Sequence, residues 1–548
     1  MKNAGTRQHG KVGATVSDIR AHPRLPWIPI AITLAVFGLY FLVMLAYART
    51  VLLFPFDYDQ GEGFELYDAI RLARGQNIYL DSAQFPYYSS NYPPVFRVLL
   101  VPLIWLFGPQ IWVGRVVAFA CTLAIGVLIM MAARQLWRPA NGAGQWIDRA
   151  VAVLAGLAFF AANYIYHVAP LARAHLPMLM FAVAGLFCID RGLRASVAQS
   201  QSRWTALGIA LLMTAGFTKL QAVDALVAGF AFLLIRKPRW CLQALAGCLV
   251  ATAVIVLWLN TASNGQFWLN VVSANVNEYD FAVTLKTYTQ WFQLQGVLIV
   301  CAMLFVIGDS VASIRARSFQ PMTIWSLYFV AGSTLGLLTG KWGAGPTYLA
   351  AAIAASCICT VGLLSRVAGW LQSRGWQQSP VYALVAVVFL AQASLNVHLP
   401  TSGRFFGALA RGLGYAERPS SYPPYPYYDS SGYTQLGHLL DRADTANGWA
   451  LVEELKKHPG PVWSEEAMLT LHAGKDVVTN PTQLLNLSKN GALDTRDMIA
   501  RIERREFGAV VFRAYFYPDD VKQAIDRNYA TVGSIKINGF DYFLLLPR

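Results

Sequence analysis

Charge is scarce in this sequence. Only 14% of its 548 residues are charged and 55% are apolar, whereas an ordinary soluble protein carries about 25% charge. This excludes a soluble multidomain enzyme. Acids are scarcer than bases, 30 against 44, yet the basic residues fall in short clusters between apolar runs. A nucleic-acid-binding domain would gather them into one stripe, so no nucleic-acid partner is expected. Cysteine is also sparse. All seven (Cys121, Cys188, Cys241, Cys248, Cys301, Cys357 and Cys359) lie inside apolar runs, where neither a disulfide nor a water-exposed metal site is placed.

What is abundant is apolar sequence in long stretches. A bilayer core of about 30 Å needs about 20 apolar helical residues. Eleven spans are expected, near 27–54, 110–133, 150–167, 175–189, 203–217, 218–235, 240–259, 291–308, 321–338, 348–365 and 380–397. Residues 93–107 are apolar but short and contain Arg97, so they are read as an interfacial segment. Residues 203–235 are read as a tight hairpin broken at Thr218-Lys219-Leu220-Gln221. With these assignments the inner loops, including segment 1–26, hold 18 Lys or Arg against four acids, and the outer loops hold eight of each. Positive loops stay in the cytoplasm. The N-terminus is therefore expected inside, and the chain beyond 398 outside.

The expected organisation is a transmembrane module over 27–398 with an outer loop at 55–109, a Tyr/Pro-rich linker over 399–444 and a domain over 445–548. In the last, helical patterns alternate with short apolar runs such as Gly508-Ala-Val-Val-Phe512, which predicts a small α/β domain. It contains no Gly-rich phosphate loop and no internal repeat. It is expected to steady the outer loops or shape access to them.

Candidate chemistry collects on the outer side. The first outer loop reads Asp57-Tyr-Asp59-Gln-Gly-Glu62-Gly, with Glu65 following. Carboxylates just beyond a span can deprotonate a hydroxyl or hold a divalent cation, with Asp57 and Asp59 as the candidate pair; a solvated acidic turn has the same spacing. Other outer loops bring Arg173 with His175, Lys219, and Lys341 among glycines. Cations this near hydrocarbon either face a cavity, where a lipid phosphate fits them, or snorkel to head groups. His167 and His175 flank a loop without a nearby carboxylate, a weak basis for a metal site.

The order of these pieces carries a resemblance. An Asp59-Gln-Gly-Glu-Gly loop after the first span, a helix ending Leu72-Ala-Arg-Gly-Gln-Asn-Ile-Tyr79, the Asn91-Tyr-Pro-Pro94 turn, Gly114-Arg115, Thr218-Lys219, and Lys341 followed by Tyr348 together resemble the bacterial GT-C class of membrane glycosyltransferases. Within it they are similar to the family of protein mannosyltransferases and the lipid A aminoarabinose transferase. The resemblance covers about 27–365. The chain departs from that pattern at His175, where an acid often stands, and at Pro346-Thr347, where Asn often precedes the Tyr.

The resemblance implies a GT-C-like, polytopic α-helical protein of the bacterial cytoplasmic membrane, moving a sugar from a polyprenyl-phosphate donor to a hydroxyl on a glycan, lipid or protein acceptor. Asp59 and Glu62 are the implied catalytic carboxylates, with Asp59 preferred as base. Glu62, between two glycines, is expected to be uncrowded. Lys219, Lys341 and Arg173 would hold the donor phosphate, and Asn91, Tyr92, Tyr348 and His175 would line the substrate site. No cofactor is implied beyond a divalent cation at Asp57 and Asp59, and a phosphate flanked by Lys and Arg does not require one. Two rivals remain open: a transporter or flippase of a lipid-linked or anionic substrate, and a non-catalytic envelope assembly protein.

Overall fold

The computed structural model of the chain describes residues 27–138, 145–375, 378–396 and 440–548, with isolated positions between 408 and 435. The N-terminal basic segment and most of the Tyr/Pro-rich linker lie outside the described residues.

Helices occupy all eleven predicted stretches: Trp27–Leu53, Ile111–Leu136, Gln145–Ala161, His175–Arg194, Ala198–Thr218, Val223–Arg236, Pro238–Ala262, Phe281–Ala316, Ile324–Leu335, Ala350–Ser373 and Gln378–Asn396. By length and composition, six segments can cross a membrane: Trp27–Leu53, Ile111–Leu136, His175–Arg194, Pro238–Ala262, Phe281–Ala316 and Pro346–Ser373. The other helices are shorter or more polar. Pro238–Ala262 is apolar along its length, with Cys241 its one buried residue, an arrangement suited to surrounding hydrocarbon.

The boundaries show what the apolar pattern could not. The span expected at 291–308 is the middle of a 36-residue helix. Asp280 caps it by accepting from the Ala282 N–H at 2.8 Å, and its first turns carry Thr284, Lys286 and Thr287, which break the apolar run. At about 1.5 Å per residue this helix outruns the bilayer core, so it extends beyond it. The break at Lys219 is sharp: its backbone is extended, and one 3-10 turn follows before Val223. Val95–Phe107 is a 13-residue helix with Pro102 inside.

The loops assigned to the inside by charge meet at one end of the bundle. Asp190 pairs with Arg194 at 2.9 Å, Arg236 donates to the Gln320 side chain at 3.0 Å, Arg366 pairs with Asp309, and the Arg138 N–H donates to Ser365 at 2.9 Å. The loops assigned to the outside meet at the other end, around the cavity described below.

Residues 440–548 build a four-stranded sheet in the order Val462–Ser464, Ala509–Phe512, Phe540–Pro547, Tyr529–Ile537. The first pair is parallel and the other two are antiparallel. Asn538 and Gly539, both at positive φ, make the two-residue turn between the last strands, as an Asn-Gly pair favours. Helices Arg442–Lys457, Arg496–Glu503 and Asp519–Asn528 accompany the sheet. Asp441 and Asp444 close a capping box at the start of the first. Val477-Val-Thr479, which has a strand-like sequence, makes only a bridge from Thr479 to Tyr87.

This C-terminal unit packs on the first loop of the helical part. Phe56 meets Trp449 and His472 edge-on at 5.2 and 5.4 Å, Tyr87 lies 5.8 Å from Trp463, and the Asn480 amide donates to Ser89 O at 3.0 Å.

Candidate active site

The first loop is organised by two buried arginines. Arg115, inside the second long helix and fully buried, grips Glu62 through Nε and Nη2 at 2.9 and 2.8 Å. It also donates to Val51 O at 2.5 Å, to Phe54 O and to Phe56 O at 2.7 Å. Val51 lies in the last turn of the first helix, where its carbonyl also accepts from the Phe54 N–H at 3.1 Å, and a cation at a helix C-terminus is electrostatically favourable. Arg97 pairs with Glu65 at 2.6 Å and Asp68 at 3.2 Å. A charge that looked misplaced in the apolar run 93–107 therefore clamps that helix to Glu62–Ala73.

Most of the acidic loop is consumed by such contacts. Glu62 also accepts from the N–H groups of Tyr58, Asp59 and Ala172 at 3.0, 3.2 and 2.7 Å. Burial opposes its charge, but Arg115 and these N–H groups outweigh it and hold the carboxyl below the usual glutamate value. The expectation of an uncrowded Glu62 is corrected: its side chain is fully buried and its oxygens are occupied. The flanking glycines, which prompted that expectation, serve close packing instead. Asp57 turns toward the C-terminal unit, accepting from the Gly63 N–H at 2.5 Å and the Met468 N–H at 2.9 Å. Burial pushes its carboxyl up to about 7 despite those bonds.

Asp59 has a different environment. It pairs with Arg173 at 3.3 Å, both side chains being about one-fifth exposed, and both line a cavity of about 680 Å³. Asp57 and Asp59 therefore face different partners, an arrangement that does not fit a shared cation. Among the described residues no three His, Cys, Asp or Glu side chains are grouped to hold a metal.

The same cavity brings together Asn91, Tyr92, Arg173, His175, Lys219, Lys341 and Tyr348, loops spread over more than 250 residues of chain. Lys219 Nζ stands 2.6 Å from His175 Nε2, 5.1 Å from the Tyr92 ring centre and 5.8 Å from that of Tyr348. Asp224 does not neutralise it; the Asp224 carboxylate accepts from the Ala225 N–H at 2.6 Å. Lys341 is placed by a short antiparallel pairing, in which the Asp280 N–H donates to Gly340 O and the Trp342 N–H to Glu278 O, both at 2.9 Å. Gly340 is required there, because a Cβ would come within 2.3 Å of Asp280 O. Lys341 Nζ donates to Asn275 O at 2.9 Å, and burial pulls its ammonium below the ordinary lysine value.

No family model matches this sequence, and a search against curated proteins finds no match. Two solved structures share its architecture. ArnT from Cupriavidus metallidurans in the apo state is 13% identical, with a TM-score of 0.56 over 94% of this chain and 98% of that one. The same protein bound to undecaprenyl phosphate is 13% identical, with a TM-score of 0.55 over 94% and 97%. The fold is GT-C.

In this GT-C fold the cavity lies between the helical part and the C-terminal unit, which lends it Thr482, Asn486, Arg513, Ala514 and Phe516 as well as Phe540. Sequence reasoning missed these residues along with Asn275 and Asn277. One signal was present. Arg513 follows directly on the apolar strand Ala509–Phe512, and the structure buries it, with Nη1 on Glu466 at 2.8 Å and the guanidinium 4.1 Å from the Phe540 ring centre.

Proposed function

We propose that the chain is a multi-pass glycosyltransferase of the cytoplasmic membrane that moves a sugar from a polyprenyl-phosphate donor to an acceptor hydroxyl at the outer face. The observation that carries the reading is that one carboxylate, Asp59, shares a cavity with Lys219 and Lys341. The basic loops gathered at the opposite end support an outward-facing cavity. The GT-C fold, and the undecaprenyl phosphate bound by ArnT of the same fold, support the donor class.

In this reading Asp59 accepts the proton of the acceptor hydroxyl as its oxygen attacks the anomeric carbon. The bond from that carbon to the donor phosphate oxygen breaks, and the departing polyprenyl phosphate gains negative charge. Lys219 and Lys341 stabilise that charge, which is where cations accelerate the reaction most. Arg173 orients Asp59 and lies beside the phosphate path. Tyr92, Tyr348, Asn91 and His175 shape the space around the lysines. Glu62 acts through Arg115, keeping the loop that presents Asp59 in place.

Lipid extracts of cells lacking the protein test this reading. A polyprenyl-phosphate sugar should accumulate and disappear when the wild-type gene is restored, but persist with the Asp59→Asn variant. Unchanged lipid-linked sugars in the deletion strain would refute it.

A further inference from the structure

The charges around the cavity are matched, with two exceptions. Arg173 is met by Asp59 at 3.3 Å and Arg513 by Glu466 at 2.8 Å. Lys489, which lies 4.7 Å from the Trp342 ring centre, is met by Glu278 at 3.3 Å. Lys219 and Lys341 instead contact neutral groups, His175 Nε2 and Asn275 O. Two lysines suit one phosphate, and the proposed donor supplies it. Among the described lining residues no further uncompensated cation remains for a second anion, and burying an anion without one is costly.

The part of the wall where Asn277 and Trp342 meet the C-terminal unit is made of uncharged side chains. Asn277 Nδ2 donates to the Asn486 side-chain oxygen at 2.9 Å and to Trp342 O at 3.2 Å, and Trp342 stacks on Phe516 at 5.7 Å with 17° between the rings. Asn277 and Trp342 come from loops of the helical part, Asn486 and Phe516 from the C-terminal unit. Neither part forms the wall alone.

Resting on the glycosyltransferase reading, we propose that this wall is the acceptor subsite and that the acceptor is an uncharged saccharide. Side-chain amides carry a donor and an acceptor side by side and so match sugar hydroxyls. Aromatic surface takes the C–H face of a sugar ring, with its positive hydrogens against the negative π face. Acceptor choice then resides in the C-terminal unit, while donor phosphate binding resides in the helical part.

The test uses the full chain in lipid nanodiscs, presented to an array of neutral, phosphorylated and carboxylated oligosaccharides, with undecaprenyl phosphate binding measured on the same preparations. Neutral oligosaccharides should bind. Phe516→Ala and Asn486→Ala should each weaken that binding about ten-fold, and Phe516→Tyr should recover most of it. Undecaprenyl phosphate binding reports that each variant is folded. Binding confined to phosphorylated or carboxylated glycans would overturn the proposal, as would neutral binding insensitive to both alanine variants. So would the absence of any glycan binding alongside normal undecaprenyl phosphate binding, which would indicate a peptide or lipid acceptor. Neutral glycan binding that depends on Phe516, without undecaprenyl phosphate binding, would keep the subsite and refute the donor reading.

Discussion

The guanidinium of Arg173 lies over the α-carbon of Gly61: a Cβ at Gly61 would stand 1.2 Å from Arg173 Nη1. The missing side chain is what lets Arg173 cross the loop and reach Asp59. Gly61→Ala should therefore displace Arg173 and unseat Asp59, and a misplacement of about 1 Å costs roughly 10²-fold in turnover. Steady-state kinetics check this, with kcat falling more than donor affinity. A variant with unchanged kcat would show that the Asp59–Arg173 pair is dispensable.

Glu62 and Asp59 are three positions apart in the chain and have different surroundings, Arg115 for Glu62 and Arg173 for Asp59. Glu62→Gln leaves Arg115 buried without its counter-charge, and breaking a buried pair in this way costs roughly 3–5 kcal/mol. Its thermal midpoint in detergent should fall together with activity, whereas Asp59→Asn should leave the midpoint near that of the wild type. A thermally normal but inactive Glu62→Gln would return Glu62 to the chemistry.

If Lys341 holds the donor phosphate as proposed, the donor step depends on pH. Its ammonium titrates below the ordinary lysine value because it is buried, and only the charged form attracts a phosphate. Donor affinity should therefore be highest at low and neutral pH and fall as pH rises through that lowered value. Lys341→Arg, whose guanidinium stays protonated, should reduce this decline, leaving the part that belongs to Lys219. Isothermal titration with undecaprenyl phosphate across pH provides the measurement; a decline of equal size in the arginine variant would assign it to another group.

Asp57, which accepts from the Met468 N–H, is expected to couple pH to the seating of the C-terminal unit. Its carboxyl is raised from 3.8 to about 7 by burial, so between those values the folded state holds a proton that the unfolded state has released. Stability from this group is therefore lost as pH rises through that window and is at its lowest above 7. Hydrogen exchange of residues 462–472, corrected for the intrinsic pH effect, should show weaker protection at pH 8 than at pH 5. In Asp57→Asn, which cannot ionise, the difference should shrink.

The helical architecture was legible because apolar length and loop charge are local properties of the chain. The position of the Lys219 break was legible for the same reason, since three polar residues, Thr218, Lys219 and Gln221, interrupt two apolar runs. The division of labour among the loop carboxylates was not, because Asp57, Asp59, Glu62 and Glu65 differ only in which distant groups reach them: Met468, Arg173, Arg115 and Arg97. Gly61 and Gly63 looked like flexibility and are close packing. The contribution of Arg513, Asn486 and Phe516 was hidden for a related reason. They stand more than 130 residues beyond Tyr348, and the docking of the C-terminal unit on the first loop, through contacts such as those of Met468 and Asn480, brings them to the cavity.

The central claim is that Asp59 takes the acceptor's proton in a cavity whose lysines hold the donor phosphate. It is tested most directly by single-turnover transfer from a polyprenyl-phosphate sugar by the purified full chain, with donor binding measured in parallel. Asp59→Asn should slow transfer by about 10²–10⁴-fold while donor affinity is retained, and Lys219→Gln and Lys341→Gln should each weaken donor affinity. Transfer at the wild-type rate by Asp59→Asn with donor fully bound would contradict the account.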